Sequence, residues 1–345
     1  MKIGYWIGRY MEAATNWRKA FSVTAAKYIS IAEQMAEAGH EVEHWEFGQP
    51  IPKGCDCVFV PCWTLLASLP LDQVGKLPVV GYMDGVYLPI MEAPTMKRID
   101  LLFTTTQHRA EEYYSLIPGK QILSVGYGTR TDFDLGQPSP YAAGTKNVIY
   151  VGRWSQAGHG LMMGLANAHP DVNFWLAGFA TQQGRGMVGI QGQNIKDIRQ
   201  APNVHLIGER LKEQAAVEER FGVGAVGPVT YTGAPAFFEH ADAALGTGQR
   251  KPPRGLPDHY SLACKVHFYW MHGTPSLVEH YGSQSLLTYP WNGVVYDGSN
   301  AGAVDGLQTM LQMEYTRKRI REWAVKFLSW KTVVARMLDA MEAYL

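Results

Sequence analysis

Short apolar segments recur along the first third of the chain, and helical or polar segments separate them. Most are continuous apolar runs, as buried strands of a parallel sheet show, and one alternates with period two. After the first of them, residues 22–38 repeat their apolar positions at helical spacing, and Gly39 follows as the expected C-terminal cap. The predicted strands of this part span residues 2–7, 40–47, 57–61, 78–83, 99–104 and 121–125.

The same pattern restarts after residues 132–146, which have the Asp, Pro, Ser and Gly content of a linker. A helix is expected over residues 159–169, and residues 303–345 are helical in pattern with a break near Ser329. The predicted strands of this part span residues 147–151, 173–178, 203–208, 241–246 and 285–289, and a short apolar strand is expected after the turn at Pro275.

Two successive sets of strands and crossovers predict two α/β domains, each a Rossmann-like, doubly wound parallel sheet with helices on both faces. The expected boundaries are 1–135 and 147–328, with 136–146 as linker and 329–345 as a C-terminal helix packing back on the first domain. Ligands of open α/β sheets bind at the carboxyl ends of the strands. We therefore expect a ligand cleft where the carboxyl ends of the two sheets face each other.

Composition narrows the class of protein. The chain has 345 residues, enough for two domains, and it contains no apolar run long enough to span a bilayer and no apolar signal core at its start. A cytoplasmic location is expected. The formal net charge is zero, so the charge of the sequence as a whole does not indicate a polyanionic partner. The four cysteines lack the spacing of a zinc site and are expected to be reduced thiols.

The segment from Lys265 to Glu279 carries the clearest chemical signal. Lys265, Tyr269 and Gly273 are spaced four residues apart, so the first two share a helix face and the glycine can end the helix before Pro275. A lysine in the first turn of a helix that begins near a sheet edge is suited to binding an anion. The alternative is an ordinary solvated lysine.

Asp84 follows the apolar strand 78–83 directly and is expected at its carboxyl end. A partly buried carboxylate there can deprotonate a substrate hydroxyl. The alternative is that Asp84 only caps the turn formed with the following glycine.

Cations follow two strands of the second half. Gly152 and Arg153 come directly after residues 147–151, where a guanidinium and an exposed backbone suit a phosphate group. Arg250 lies in a basic Pro/Gly-rich loop after residues 241–246, together with Lys251 and Arg254. That loop can contact a diphosphate or a DNA backbone, or it can be a solvated surface loop.

These residues resemble the site pattern of the GT-B glycosyltransferases, which carry K-x-x-E-Y-x-x-x-G-x-P at their nucleotide-sugar site and a Gly-Arg after the first strand of the second domain. The chain keeps Lys265, Tyr269, Gly273 and Pro275, but Phe268 stands at the glutamate position. The lysine that usually follows the Gly-Arg is also missing.

The resemblance implies a nucleotide-sugar donor, expected to be a UDP-sugar, with no tightly bound cofactor and no assigned metal ligand, although a divalent metal stays open. The implied donor-binding residues are Gly152, Arg153, Gly178, Gly208, Arg250, Lys265 and Gly273, with Glu279 or His267 as a substitute for the missing ribose-binding glutamate. For Gly178 and Gly208, a turn is the simpler role. The loop after the first strand is where such enzymes hold the acceptor or sugar, which implies acceptor contacts from Arg9, Trp17 and Arg18.

The Asp84 segment resembles that of the phage DNA β-glucosyltransferases, whose strand-Asp-x-x-Leu-Pro supplies the catalytic base; here the spacing is one residue longer. This resemblance favours a hydroxymethylated base in double-stranded DNA as acceptor, and a host-cytoplasmic location if a phage encodes the chain. A small-molecule, lipid-linked or polysaccharide acceptor is the alternative. Two other classes stay open: a non-catalytic nucleotide-sugar-binding protein, and an isomerase of the epimerase kind.

Overall fold

The structure is a computed structural model, and it describes residues 1–8, 23–66, 68–83, 94–131, 135–151, 156–177, 200–206, 235–246, 264–281 and 283–345. The chain divides into two compact units. The first comprises Met1–Arg130 and Lys326–Leu345, and the second comprises Thr131–Val325.

The first unit is built on a six-stranded parallel sheet in the order β2-β1-β3-β4-β5-β6. The central strands β3, β4 and β5 are buried along their whole length, which explains their continuous apolar sequences. All six predicted strands are confirmed. They are β1 (Lys2–Gly8), β2 (Glu41–Glu46), β3 (Cys57–Val60), β4 (Val79–Met83), β5 (Leu101–Thr104) and β6 (Gln121–Ser124).

The second unit contains another six-stranded parallel sheet, in the order β12-β11-β10-β7-β8-β9. In both sheets the chain adds strands first on one side of its first strand and then on the other side. Because the paired strands are parallel, crossover connections must link them, as in Rossmann-like domains. The predicted fold class of two such α/β domains is confirmed. The strands are β7 (Lys146–Val151), β8 (Val172–Ala177), β9 (Val204–Leu206), β10 (Ala243–Gly246), β11 (Ser276–Glu279) and β12 (Gly293–Tyr296).

Helices accompany both sheets. The last of them packs against the first, within the first unit. No described helix has the length and apolar character needed to cross a membrane. The helices are α1 (Val23–Glu37), α2 (Trp63–Leu66), α3 (Leu71–Val74), α4 (Pro94–Arg98), α5 (Gln107–Leu116), α6 (Gln156–Ala168), α7 (Pro235–His240), α8 (Cys264–Met271), α9 (Asn300–Gln312), α10 (Arg317–Leu328) and α11 (Trp330–Tyr344).

The predicted strand at residues 285–289 is wrong. A 3₁₀ helix spans Ser283–Leu287, and the strand of this region is β12. The side chain of Asn292 explains the difference, because it accepts a hydrogen bond from the Tyr289 N–H (2.7 Å) and donates one to the Leu287 carbonyl (3.0 Å). These bonds hold a turn where a strand would need the backbone groups for pairing.

The predicted break at Ser329 is confirmed. Ser329 is the N-cap of α11, and its hydroxyl accepts the Thr332 N–H at 3.2 Å. The backbone of Thr129 pairs on both sides of this break, accepting the Trp330 N–H and donating to the Leu328 carbonyl. A second break, between α9 and α10, was not expected from the sequence.

Gly273 ends α8 as predicted, with a φ of 76°. A Cβ at this position would lie 2.7 Å from the Arg317 carbonyl oxygen, so close backbone packing adds to the conformational requirement.

We expect Gly273→Ala to lower the free energy of unfolding by about 1–3 kcal/mol, because the substitution combines left-handed strain with overpacking. Chemical denaturation followed by circular dichroism measures it. Gly160→Ala is the matched control, since a Cβ on this helical glycine of the same unit meets nothing within 4 Å. We expect the control to be neutral or stabilising. Equal stability of the two variants would contradict the requirement for glycine at position 273.

Candidate functional site

The described residues include Lys265, Gly273 and Glu279 among the predicted site residues, and also His267, the alternative to Glu279. The remaining predicted site residues lie outside the described part of the chain. They are Arg9, Trp17, Arg18, Asp84, Gly152, Arg153, Gly178, Gly208 and Arg250.

The carboxyl ends of the strands define the location of the candidate site in the second unit. All strands of this sheet are parallel, so β7, β10 and β11 end at the same edge, at Val151, Gly246 and Glu279. In sequence, Val151 directly precedes Gly152 and Arg153. Ligands of open α/β sheets bind at this edge.

Tyr269 joins α8 to this edge. Its hydroxyl accepts the Val151 N–H at 2.8 Å and approaches the Leu245 carbonyl at 3.4 Å, and the side chain is fully buried. Side chains on a helix lean toward its N-terminus, so Tyr269 reaches back from the end of α8 to the carboxyl ends of β7 and β10. Burial raises the pKa of the Tyr269 hydroxyl well above its usual value, so the group stays protonated. We call this contact the Tyr269 bridge.

Lys265, the second residue of α8, lies at the same edge. Its Nζ is 4.2 Å from the centre of the Tyr150 ring, within the range of a cation–π contact. Tyr150 is the residue before Val151 at the end of β7. The helix that carries the Tyr269 bridge therefore also holds an ammonium group beside the last residues of β7.

Gly246 allows α8 to approach β10 closely. A Cβ at Gly246 would lie 2.6 Å from a methyl group of Val266 and 3.2 Å from the Leu277 carbonyl oxygen. A glycine at the end of β10 is therefore part of what places the start of α8 near the sheet edge.

Gly273 lies elsewhere. It precedes β11 and so stands at the amino ends of the strands, packed on the backbone of Arg317. Glycine is needed at this position for the turn, and Gly273 lies at the edge of the sheet opposite the carboxyl ends of the strands, where ligands of open α/β sheets bind.

Phe268 and His267 belong to the interior of the unit. Phe268 is 5% exposed and packs against Phe238 and His272, with ring centroids at 4.8 and 4.4 Å. His267 is buried and stacks on Trp270. The aromatic residue at the expected glutamate position thus contributes to packing, and Glu279 is the better candidate for a carboxylate at the carboxyl edge.

Glu279 is the last residue of β11 and is buried, with 6% of its surface exposed. Its Oε1 accepts a hydrogen bond from the Tyr296 hydroxyl at 2.7 Å. Tyr296 is the paired residue at the end of β12, a strand that sequence reasoning missed. The apolar run 293–296 followed by Asp-Gly was the available signal.

A buried lysine marks the corresponding edge of the first unit. Lys27 on α1 is 4% exposed, and its Nζ lies 5.0 Å from the centre of the Tyr28 ring and 5.8 Å from that of Tyr82. Tyr82 lies in β4, two residues before Asp84 in sequence. Sequence reasoning missed Lys27 because it occurs inside an otherwise apolar helical pattern.

Metal ligands are not grouped in the described ranges: they contain no cluster of three or more His, Cys, Asp or Glu side chains that could hold an ion.

Comparison with known proteins identifies the fold. No family model matches the chain, and no curated protein matches it in sequence. Many solved structures match in fold, and the three described next are among those that match over nearly their whole length. Sucrose-phosphate synthase from Thermosynechococcus elongatus has a TM-score of 0.64 at 12% identity, covering 99% of this chain and 98% of that chain. Anabaena HepE in complex with UDP-glucose has a TM-score of 0.63 at 13% identity, covering 99% and 100%.

The third is the lipopolysaccharide outer core galactosyltransferase WaaB, with a TM-score of 0.62 at 12% identity and full coverage of both chains. Identities this low establish the fold alone. The chain therefore has the GT-B fold, which confirms that part of the sequence-based prediction.

We expect Tyr269→Phe to lower the free energy of unfolding by about 1–3 kcal/mol, because it leaves the buried Val151 N–H without its acceptor. Chemical denaturation measures the change. Tyr289→Phe is the control, since Tyr289 is 42% exposed in the same unit and should tolerate the loss of its hydroxyl. A Tyr269→Phe variant as stable as the control would contradict the structural role of the bridge.

Proposed function

We propose that the protein is a glycosyltransferase that moves a sugar from a nucleotide-sugar, most simply a UDP-sugar, to an acceptor hydroxyl. The observation that carries this proposal is the ammonium group of Lys265 beside the end of β7, held by a helix that the Tyr269 bridge fixes to the carboxyl edge. The full-length likeness to GT-B glycosyltransferases supports it, including the complex of HepE with UDP-glucose.

In the proposed reaction, Asp84 accepts the proton of the acceptor hydroxyl. The acceptor oxygen forms a bond to the anomeric carbon, and the bond between that carbon and the diphosphate oxygen breaks, releasing the nucleoside diphosphate. Negative charge develops on the diphosphate as this bond breaks. Lys265, Arg153 and Arg250 are the cations assigned to stabilise it, and charge stabilisation of this kind is a large contribution to catalysis.

The remaining donor contacts are also proposals. Gly152, Gly178 and Gly208 are assigned to the backbone contacts that such a donor requires, and Glu279 is assigned to a donor hydroxyl. No metal ligand is assigned among these residues, and a divalent ion bound with the donor would add to the charge stabilisation that the cations named above supply.

The first acceptor that we propose is a hydroxymethylated base in duplex DNA, because the Asp84 segment resembles that of the phage DNA β-glucosyltransferases. Arg9, Trp17 and Arg18 are its expected contacts. A saccharide acceptor is the second candidate, and WaaB, whose name specifies the lipopolysaccharide outer core, favours it by likeness of fold. Transfer assays with radiolabelled donor sugar, offering hydroxymethylated duplex DNA and lipopolysaccharide core oligosaccharide in parallel, separate the two. Binding of DNA at low salt that weakens steeply with added salt is expected only for the first.

We expect Asp84→Asn to lower kcat for sugar transfer by about 10²–10⁴-fold while the affinity for UDP stays unchanged, because the amide cannot accept the acceptor's proton. Steady-state kinetics and calorimetry with UDP measure the two quantities. Asp72→Asn, at an exposed position of the same unit, is the control and should retain full activity. A transferase that keeps its kcat in Asp84→Asn would exclude Asp84 as the base; binding without any transfer in the unaltered protein would favour the non-catalytic binding protein.

We expect Lys265→Met to weaken UDP binding by about 10–100-fold, the effect of losing one charged contact to a phosphate, and to reduce the affinity for uridine little. Calorimetry with UDP and uridine measures the ratio. Lys318→Met removes a lysine whose side chain is 84% exposed and serves as the control. If Lys265→Met and the control bind UDP equally well, Lys265 does not contact the diphosphate.

A further inference from the structure

The carboxyl ends of β11 and β12 carry a pair of buried polar side chains that the sequence did not connect. Glu279 and Tyr296 are partners in the parallel register, and each ends its strand. They are 6% and 5% exposed, and the Tyr296 hydroxyl donates to Glu279 Oε1 at 2.7 Å. Burial of a carboxylate beside a phenol is costly unless each group has a hydrogen-bonding role.

We propose that Tyr296 is a positioning residue that orients the Glu279 carboxylate toward a hydroxyl group of the sugar part of the donor, on the ribose or on the transferred sugar. This inference rests on the proposed function. It adds Tyr296 to the proposed site and predicts that the site selects donors by one hydroxyl group. Glu279 would distinguish a donor with that hydroxyl from one without it.

The location fits this role. β11 pairs with β10 on one side, with Val278 opposite Gly246, so Glu279 follows immediately after the last pair at the carboxyl edge. The start of α8, with Lys265, follows β10 in the chain. The Glu279 carboxylate therefore lies at the same edge as Lys265, the proposed diphosphate contact. Its strand, β11, is one strand further from β7 than β10 is.

Backbone contacts fix the pair further. The His280 N–H donates to the Tyr296 carbonyl at 3.0 Å, which continues the ladder past Glu279. After β12, Asp297 accepts the Ser299 N–H and hydroxyl at 2.8 and 2.7 Å, and Ser299 is the N-cap of α9. Both strand ends are thus held in place, and the Tyr296 hydroxyl is positioned to orient the Glu279 carboxylate.

The pKa of the Tyr296 hydroxyl determines which of the two groups donates the hydrogen bond. Burial and the charge of Glu279 raise the pKa of the Tyr296 hydroxyl above its usual value, so the phenol stays a donor. A carboxylate accepts several hydrogen bonds, and the Tyr296 hydroxyl donates one of those that Glu279 receives. A sugar O–H is a donor of the kind that a carboxylate accepts, and a site built to accept such a donor discriminates strongly against the deoxy analogue.

The test compares matched ligands by calorimetry: UDP with 2′-deoxy-UDP for the ribose, and UDP-glucose with UDP-2-deoxyglucose for the transferred sugar. We expect the unaltered protein to prefer the hydroxylated ligand of one pair by about tenfold or more, which corresponds to about 1.4 kcal/mol. Which pair shows the preference identifies the source of the hydroxyl.

Three variants assign the preference to the pair. Glu279→Gln should bring the ratio of affinities for the hydroxylated and deoxy ligands close to one, and Tyr296→Phe should reduce this ratio several-fold. The double variant should lose no more of the preference than Glu279→Gln alone, because Tyr296 acts through Glu279. The preference for UDP over uridine is the internal control, since it reports on the phosphate contacts and should stay unchanged if the variants are folded.

Two results would overturn the inference, and they are distinguishable. If Tyr296→Phe keeps the hydroxyl preference of the unaltered protein, or if neither ligand pair shows a preference, the pair does not read a donor hydroxyl while the proposed function survives. If the unaltered protein binds neither UDP nor UDP-glucose, the proposed function fails and this inference fails with it.

Discussion

The hydroxyl of Tyr269 lies between the Val151 N–H and the Leu245 carbonyl, at the place where the ladder between β7 and β10 ends. Parallel strands that separate at their carboxyl ends leave backbone groups to be satisfied, and in a buried position an unsatisfied group is costly. The Tyr269 bridge meets this requirement from a helix. The direction of α8, and with it the location of Lys265, depends on that contact.

The interior around α8 is apolar and aromatic, and the polar groups near the carboxyl edge are correspondingly few. Phe238, Phe268 and Tyr269 belong to one buried cluster on the face of the sheet that α8 covers. Within the described part of this edge, Lys265 and Glu279 supply charge of opposite sign. A sparse, rigidly held set of charges suits recognition of a ligand with an anionic diphosphate and a hydroxyl-rich sugar. In the proposed function, the lysine beside the strand end would bind the diphosphate and the carboxylate beside a tyrosine would bind a sugar hydroxyl.

The sequence predicted the fold well because buried parallel strands have continuous apolar sequences and because Gly273 and Ser329 are local signals of helix ends. It failed at residues 285–289, where the apolar pair Leu286 and Leu287 belongs to a 3₁₀ helix fixed by Asn292. The site was harder to predict, since Lys27 meets Tyr82, and Tyr296 meets Glu279, only through the packing of separate elements of the fold. Phe268 shows the limit of motif matching: it occupies a site position in the pattern and a core position in the structure.

Hydrogen exchange of the unaltered protein with and without UDP-glucose most directly tests whether the carboxyl edge of the second unit holds the donor. Slower exchange is expected in peptides covering β7 with the residues that follow it, the start of α8, and the ends of β11 and β12. The amino ends of the same strands, including the turn at Gly273, should exchange as before. Binding of UDP-glucose that leaves exchange at the carboxyl edge unchanged, or that slows it only at the amino ends, would contradict the proposed donor site.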